Sequence, residues 1–220
     1  LTCNHRLNFS RKNSNLHEAQ LNFELLKPFG CKTIPSMEEI NQVVSFFKVN
    51  QGVSLPAETE AYFSNASKKI ILHARSQGSA VEWPIEKYGE LALELSSRGY
   101  KVFYTGTEQE GEGIRPFIPV NQNIIDLTGK LDLEQLILFI SRVDALVACS
   151  TGPLHIAGVT GIFAIGLFSP RRPIHPGRWM PIGPNTCTLV HDQDCPDCKK
   201  KKQCGCISQI TVEKVLREIG

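Results

Sequence analysis

Apolar positions along this chain recur at two spacings, and the change from one to the other divides it. Between residues 16 and 27 the sequence LHEAQLNFELLK places Leu16, Leu21, Leu25 and Leu26 mostly on one helical face, and Pro28 and Gly30 then end the helix. Ser36 with Glu39 three residues on reads as a capping box for a second helix reaching about Val49, and a short third helix follows Pro56. From Lys68 the pattern changes. KKIILHA is a short apolar run, WPIEKYGELALELSSRGY an amphipathic helix stopped by Gly99, and KVFYTG a second apolar run, together one strand, helix, strand unit. NIIDLTG, ALVACS and IFAIGLFS supply three more strands, and between them LDLEQLILFISRV, opened by Asp132, and PLHIAGVTG read as helices. Strands alternating with helices predict an α/β fold, a Rossmann-like parallel sheet with right-handed crossovers and helices on both faces, preceded by a few helices. The stretch SPRRPIHPGRWMPIGP is too rich in proline for regular structure and predicts a long surface loop. A last strand at 187–190, a cysteine cluster and a closing helix at 211–219 complete the chain.

Composition narrows the class. With 220 residues, 41% hydrophobic and 21% charged, the chain is an ordinary globular protein and disorder is not expected. No apolar run is long enough to span a membrane and the first eleven residues are polar, which predicts a cytoplasmic protein without a signal peptide. A net charge of +2 argues against nucleic acid as a partner, although Lys199 to Lys202 form a local basic run. The opening at Leu1, with no start signal of a fold through Ser10, suggests that sequence precedes it.

Ligands of an open parallel sheet bind at the carboxyl ends of the strands, where helix N-termini offer free amides. Four strand-to-helix turns carry candidate chemistry. In ALVACSTGPLHIAG, Ser150 and Thr151 offer hydroxyls, Gly152 permits close backbone approach, Pro153 suits the first helical turn and His155 adds an imidazole. A tight capping turn with a packed histidine explains the same residues equally well. In HARSQGSAVEWP, Arg75, Ser76 and Gly78 can cradle a phosphate, or form a plain solvated loop. In TGTEQEGEG, Glu108, Glu110 and Glu112 can accept from ribose hydroxyls, although acids near a helix start are more simply favourable to its dipole. In DLTGKLDLEQL, Leu131 beside Gly129 can pack on a base, or belong to the core.

Taken together, residues 68 to 184 resemble the donor-binding domain of glycosyltransferase family 9, the ADP-heptose:lipopolysaccharide heptosyltransferases. The segments that carry the resemblance are ILHARSQGSAVEWPIEKYGELALEL, VFYTGTEQE, IIDLTGKLDLEQLILFISRVDALVACSTGPLHIAG and IGLFSPRRPIHPGRW, and the TGPLH core is the most specific. HEAQLNFELLKPFG also resembles the end of that family's acceptor-side domain. The resemblance implies the C-terminal half of a GT-B glycosyltransferase. Residues 1–67 would be a helical remnant of the acceptor-side domain with its linker, 68–190 the nucleotide-sugar-binding domain, and 191–220 a cysteine-rich tail with a closing helix. It also implies that Ser150, Thr151, Gly152 and His155 surround the diphosphate, Ser76 adds a phosphate contact, Glu110 holds the ribose and Leu131 lies against the adenine. The implied partners are a nucleotide-sugar donor, ADP-heptose or similar, and a lipopolysaccharide core or other glycan acceptor, reached at the cytoplasmic face of the inner membrane through peripheral association. The chemistry would be inverting transfer without a catalytic cofactor. The aspartate base of such enzymes lies early in their first domain and has no counterpart here, so this chain is not expected to catalyse transfer unaided.

Two departures stand out. Family members often carry an acid where Ser150 stands, and a lysine or arginine where Val81 and Glu82 precede the WP pair. A missing cation opposite two phosphates costs on the order of a few kcal/mol of charge-assisted bonding. Arg75, Arg171, Arg172 and Arg178 are the candidates to replace it.

The tail needs a separate reading. Four cysteines are scattered singly (Cys3, Cys31, Cys149 and Cys187), while Cys195, Cys198, Cys204 and Cys206 follow C-x2-C-x5-C-x-C. That density favours one tetrahedral structural zinc, with disulfides or free thiols as the alternative and an iron–sulfur cluster behind both. Four thiolates on a divalent ion carry a formal charge of about minus two, which Lys199 to Lys202 would offset. Two other functions remain open on the sequence: a catalytically inactive nucleotide-binding or interaction module, and a zinc-ribbon binder of nucleic acid, against which the near-neutral charge weighs.

Overall fold

Each apolar run becomes a strand covered on both sides. In the computed structural model, which describes residues 4–11, 13–44, 47–200 and 204–220, β1 (Lys69–His73), β2 (Lys101–Tyr104), β3 (Ile124–Asp126), β4 (Ala145–Cys149), β5 (Phe163–Leu167) and β6 (Thr186–Leu189) form one sheet. All five pairings are parallel and the order is β3-β2-β1-β4-β5-β6. This is the doubly wound strand order of the Rossmann fold, with its reversal between β1 and β4.

The period of two in the strands sorts their side chains onto two cores. Ile70, Leu72, Val102, Tyr104, Val147 and Leu167 face one layer, and Ile71, Phe103, Leu146, Ala148 and Ala164 face the other. The first layer is closed by α4 (Ile85–Ser97), through Tyr88, Leu91 and Leu95, and by α10 (Val212–Ile219), through Val215 and Leu216. The second is closed by α6 (Leu133–Ile140), through Phe139 and Ile140, and by α7 (Gly152–Thr160), through Leu154 and Ala157. Full burial of each large apolar side chain contributes about 1.5–3 kcal/mol. The closing helix is tied down by polar bonds as well. Trp83 donates its indole N–H to Ile210 O at 3.0 Å, and Lys87 Nζ donates to Ser208 O at 2.7 Å and to Ile210 O at 3.0 Å.

Ahead of the sheet lie α1 (Glu18–Glu24), α2 (Met37–Val44) and α3 (Ala57–Glu60); α5 (Glu108–Ile114) follows β2. Three sequence expectations need correction. Of the four leucines assigned to one face of the first helix, Leu21 is buried but Leu25 and Leu26 are exposed, because α1 stops at Glu24 and the chain turns into a 3-10 segment at Lys27–Phe29. The second helix ends at Val44; residues 45 and 46 of the expected span lie outside the described residues, and 47–49 are not helical. The proline-rich loop contains one helical turn, α8 (Pro176–Trp179), tolerated because Pro176 stands in its first turn where no amide is needed. The expected closing elements are present as β6 and α10, with Thr211 capping the latter. A last short helix, α9 (Pro196–Lys199), runs through the cysteine cluster.

The loop before β6 lies hard against α7. A Cβ added to Gly158 would sit 2.5 Å from Ile182 O and 3.1 Å from Pro181 Cβ, and one on Gly183 would meet the Gly158 backbone. Replacing Gly158 with alanine must push these two segments apart. We expect Gly158→Ala to destabilise the fold by about 1–3 kcal/mol, read as a lower urea midpoint; an unchanged midpoint would contradict this packing.

Candidate functional site

Because every strand points the same way, all strand-to-helix turns open on one edge, and the reversal between β1 and β4 parts them there. A cleft of about 580 Å³ occupies that place. All four turns singled out from the sequence contribute to it. The turn after β1 brings His73, Arg75 and Ser76; that after β2, Gly106, Thr107 and Glu110; that after β3, Gly129, Leu131 and Asp132; and that after β4, Thr151, Gly152 and Pro153.

The β4 turn differs from an ordinary cap. Thr151 stands at the N-cap of α7 in extended conformation, yet its hydroxyl makes no capping bond. Thr151 Oγ1 is buried without a hydrogen-bond partner, the one such side-chain atom found among the described residues. An unmatched buried hydroxyl costs about 1–3 kcal/mol. Beside it, Gly152 has nothing within 4 Å of where a Cβ would lie and no positive φ. The protein's own atoms therefore do not require glycine there.

The other turns are braced. Glu110 Oε2 accepts from Thr107 N at 2.7 Å and from Thr107 Oγ1 at 3.0 Å, so the carboxylate is a capping-box member that also lines the cleft. Asp132 caps α6 in the same way with Gln135. Arg115 ties the second turn to the third, through Glu108 at 2.7 Å, Asp126 at 2.9 Å and Thr128 at 3.2 Å. Leu131 is half-buried, packed against the second core layer while lining the cleft.

The β1 turn already holds an anion of the protein's own. Glu82 Oε1 accepts from Ser76 N at 2.8 Å and Ser76 Oγ at 2.9 Å, and Glu82 Oε2 accepts from Arg75 Nη1 at 2.9 Å. Of the four arginines named as replacements for the missing cation, Arg75 alone lines this cleft, and its charge is paired with Glu82. Arg178 is buried against Glu18 at 2.6 Å, and Arg172 lines a different cleft.

Of the residues to which the family resemblance assigned a contact, two, Ser150 and His155, are not on the cleft wall, nor are the further candidates Gly78, Glu108 and Glu112. Ser150 instead accepts, through its carbonyl, from Ser79 Oγ at 3.3 Å. His155 faces Trp179, with ring centroids 6.1 Å apart, and lies near His17. His17 in turn accepts from Ala19 N at 3.1 Å through Nδ1 and donates to Met180 O at 2.9 Å through Nε2, which fixes it as a neutral ring. A residue missed from the sequence is His73, whose Nδ1 lies 3.0 Å from Thr105 Oγ1 on the cleft floor. Its signal was a polar side chain closing an otherwise apolar strand. Burial lowers the pKa of His73, so its ring is neutral at pH 7.

The four tail cysteines converge: their sulfurs all lie within 4.8 Å of one another, and three of the four residues are buried. Cys195 and Cys204 Sγ are 3.4 Å apart, Cys206 N donates to Cys204 Sγ at 3.3 Å, and Ser169 Oγ lies 3.9 Å from Cys198 Sγ. The Cys195 thiol is lowered to about 7, chiefly by the Cys198 amide, while burial raises Cys198 to about 11. This set can hold a metal ion. Lys199 pairs with Asp194 at 2.8 Å; Lys201, Lys202 and Cys3 lie outside the described residues.

A doubly wound parallel sheet with a polar cleft at its strand reversal, walled by helix N-termini and by the carboxylates of Glu110 and Asp132, defines the chain as an open α/β protein with its cleft where such sheets take ligands. Comparison with known proteins narrows this class. Residues 14–207 match the profile of glycosyltransferase family 9 (heptosyltransferase), and the chain belongs to that family. It is 29% identical over 234 residues to a Haemophilus influenzae protein named as a glycosyltransferase, covering 99% of this chain and 63% of that protein. It is 32% identical over 101 residues to the lipooligosaccharide heptosyltransferase 2 of the same organism, covering 44% of this chain and 29% of the relative. The chain thus spans less than two thirds of these relatives. Among solved structures, a family 9 transferase from Veillonella parvula superposes with a TM-score of 0.70 at 19% identity, over 97% of this chain and 61% of that one. The E. coli heptosyltransferase WaaC with ADP gives 0.57 at 18%, over 79% and 51%. The iron-containing dodecameric glycosyltransferase TibC from E. coli gives 0.52 at 18%, over 76% and 47%. These likenesses establish the fold. No helix among the described residues is long and apolar enough to cross a membrane.

The buried histidines make stability depend on pH. Burial lowers His155 from 6.5 to about 4. The unfolded chain binds that proton first, so the stability is whole above pH 6.5 and is lost as pH falls towards 4. At most about 3 kcal/mol is involved. Urea midpoints should fall between pH 7 and pH 4.5, and His155→Gln should flatten part of that fall; an identical slope in the variant would contradict it.

Proposed function

We propose that the chain is the donor-binding side of a family 9 glycosyltransferase, and that the cleft takes the nucleoside diphosphate of a sugar donor, ADP-heptose or similar. The observation that carries this reading is the unpartnered Thr151 hydroxyl beside the open space at Gly152, both at the amino end of α7. A diphosphate set there would accept from that hydroxyl and from the first amides of α7, in line with the helix dipole. Glu110 would accept from ribose hydroxyls through the oxygen not used in its cap, and Leu131 would form the wall against the base. Ser76 can join only by letting go of Glu82.

In inverting transfer an acceptor oxygen bonds to the anomeric carbon as the bond to the departing phosphate breaks, and the acceptor proton passes to a base. Charge accumulates on the leaving diphosphate, so the hydroxyl and amides of the β4 turn would lower the barrier by stabilising that charge. We assign neither His155 nor Ser150 a contact with the donor. The acceptor would be a lipopolysaccharide core or related glycan, as the names of the relatives suggest. A second reading, nucleotide binding without transfer, draws on Glu82, since a carboxylate seated in the β1 turn opposes a second phosphate.

Calorimetry tests the reading. ADP should bind, and Thr151→Val should weaken it about tenfold through loss of one charge-assisted bond. Glu82→Gln should tighten ADP several-fold while leaving adenosine nearly unchanged. Absence of ADP and ADP-sugar binding, or equal affinity in Thr151→Val, would remove the donor assignment.

We further propose that Cys195, Cys198, Cys204 and Cys206 hold a structural zinc. Four convergent sulfurs, an amide directed at one of them and a hydroxyl near another fit a closed thiolate site with no open position. Protein purified without chelator should contain about one equivalent of metal per chain, and Cys198→Ser should lose it together with several degrees of thermal stability. Metal content near zero would end the proposal; iron in place of zinc would correct its identity.

A further inference from the structure

We propose that the ion pair of Arg75 and Glu82 shifts the preference of the first cleft towards an esterified diphosphate, as in a nucleotide sugar, and away from the free nucleoside diphosphate that transfer leaves behind. This rests on the donor reading and concerns how the same site tells substrate from product. The two ligands differ by one ionisation. In a nucleotide sugar the distal phosphate is a diester with a single charge. When its bond to the sugar breaks, that phosphate becomes a monoester whose second proton leaves at a pH of about 6. Above that pH the product carries one more negative charge than the donor. A free guanidinium close by would reward the extra charge, hold the product, and make turnover wait on its release.

The β1 turn withholds such a cation. Arg75 is the one lysine or arginine among the described residues that line the cleft. Its Nη1 donates to Glu82 Oε2 at 2.9 Å and its Nη2 to Gly113 O at 3.3 Å, so the guanidinium is held between the β1 turn and α5. Glu82 is fixed from its other side, where Oε1 accepts from Ser76 N at 2.8 Å and Ser76 Oγ at 2.9 Å. The charge of Arg75 is thus neutralised in place. The pair stands on the border of an adjoining hollow of about 490 Å³, which shares Arg75, Gln77 and Glu110 with the cleft and has Glu82 on its own wall. The Glu82 charge is felt at the cleft floor: burial lowers the pKa of His73, and the charges of Glu110 and Glu82 oppose that shift. With Arg75 matched and His73 neutral, the described lining offers an anion hydroxyls, amides and the dipole of α7. These donors serve a singly charged diester and leave the added charge of a monoester without a cation of its own, against the carboxylates of Glu110 and Asp132.

Calorimetry at pH 8 tests this on the full chain with its native metal, using ADP and ADP-glucose as probes. Each ligand is compared between proteins, so the fit of glucose itself cancels. Glu82→Gln frees the charge of Arg75 and should tighten ADP about threefold more than it tightens ADP-glucose. Arg75→Gln leaves the carboxylate unmatched and should move the ratio of the two affinities the other way by a similar factor. The double variant regains the wild-type net charge and should regain the wild-type ratio. Side chains that only brace the turn would change both affinities alike and leave the ratio in place. Should one single variant fail to fold, the other carries the same test with opposite sign. A ratio unmoved in folded single variants with unchanged urea midpoints, or a double variant that does not return towards the wild type, would overturn the proposal and leave the donor reading standing. Binding of neither ADP nor ADP-glucose would sink the donor reading and this proposal with it.

Discussion

A parallel sheet buried on both faces leaves the chain no choice about where its connections begin. Each strand must return through a crossover, helical except for the proline-rich connection between β5 and β6, and all six strands end at one edge. The β1–β4 pairing, with Ile70 to His73 in register with Ala145 to Ala148, stands at the centre of this arrangement. Crossovers leave it in opposite directions, so the turns on either side cannot close over each other. The cleft is the space that this divergence leaves. Its walls are braced because Arg115, Thr107 and Asp132 lock two of the turns, those after β2 and β3, into bonded frames.

In the first cleft the arginine is matched by Glu82 and the histidine is kept uncharged by burial, while Glu110 and Asp132 stand on the walls. Its β4 side presents the amino end of α7, with the oriented backbone dipoles of a helix start. In the cleft that Arg172 lines, its guanidinium is bonded to the neutral Ser14 O and Asn15 Oδ1. That guanidinium is held by an arm that is itself pinned from behind, since Glu18 meets Arg178 at 2.6 Å, accepts from Arg11, and stands next to the neutral His17 bonded to Met180. Ion pairs so buried add little net stability over apolar contacts but are costly to break from one side, which suits them to fixing the position of a loop. The cysteine cluster anchors the opposite wall, touching the end of β5 through Ser169 and Cys198. An irregular, proline-rich loop is thereby held at both ends without extended secondary structure of its own.

What the sequence alone determined was the sheet. Strand and helix periods alternate cleanly from Lys68 onward, and the odd and even apolar positions of each strand separate into two layers by a geometric rule that needs no long-range information. The four turns were legible for the same reason, since glycine, proline, small hydroxyls and capping pairs act over three or four residues. The cysteine spacing was legible because four thiols able to share one ion crowd in sequence. Tertiary structure alone decided which side chains those turns present to the cleft. Ser76 lost its freedom to Glu82, His155 turned to Trp179, and Arg172 found only neutral partners, each through contacts or orientations that depend on neighbouring turns and on segments as much as 158 residues away. Local sequence sets backbone periodicity, because steric and hydrogen-bond preferences are local. The state of a charge or a hydroxyl depends on what burial removes from water and what it places within bonding distance, and that is settled only when distant segments meet.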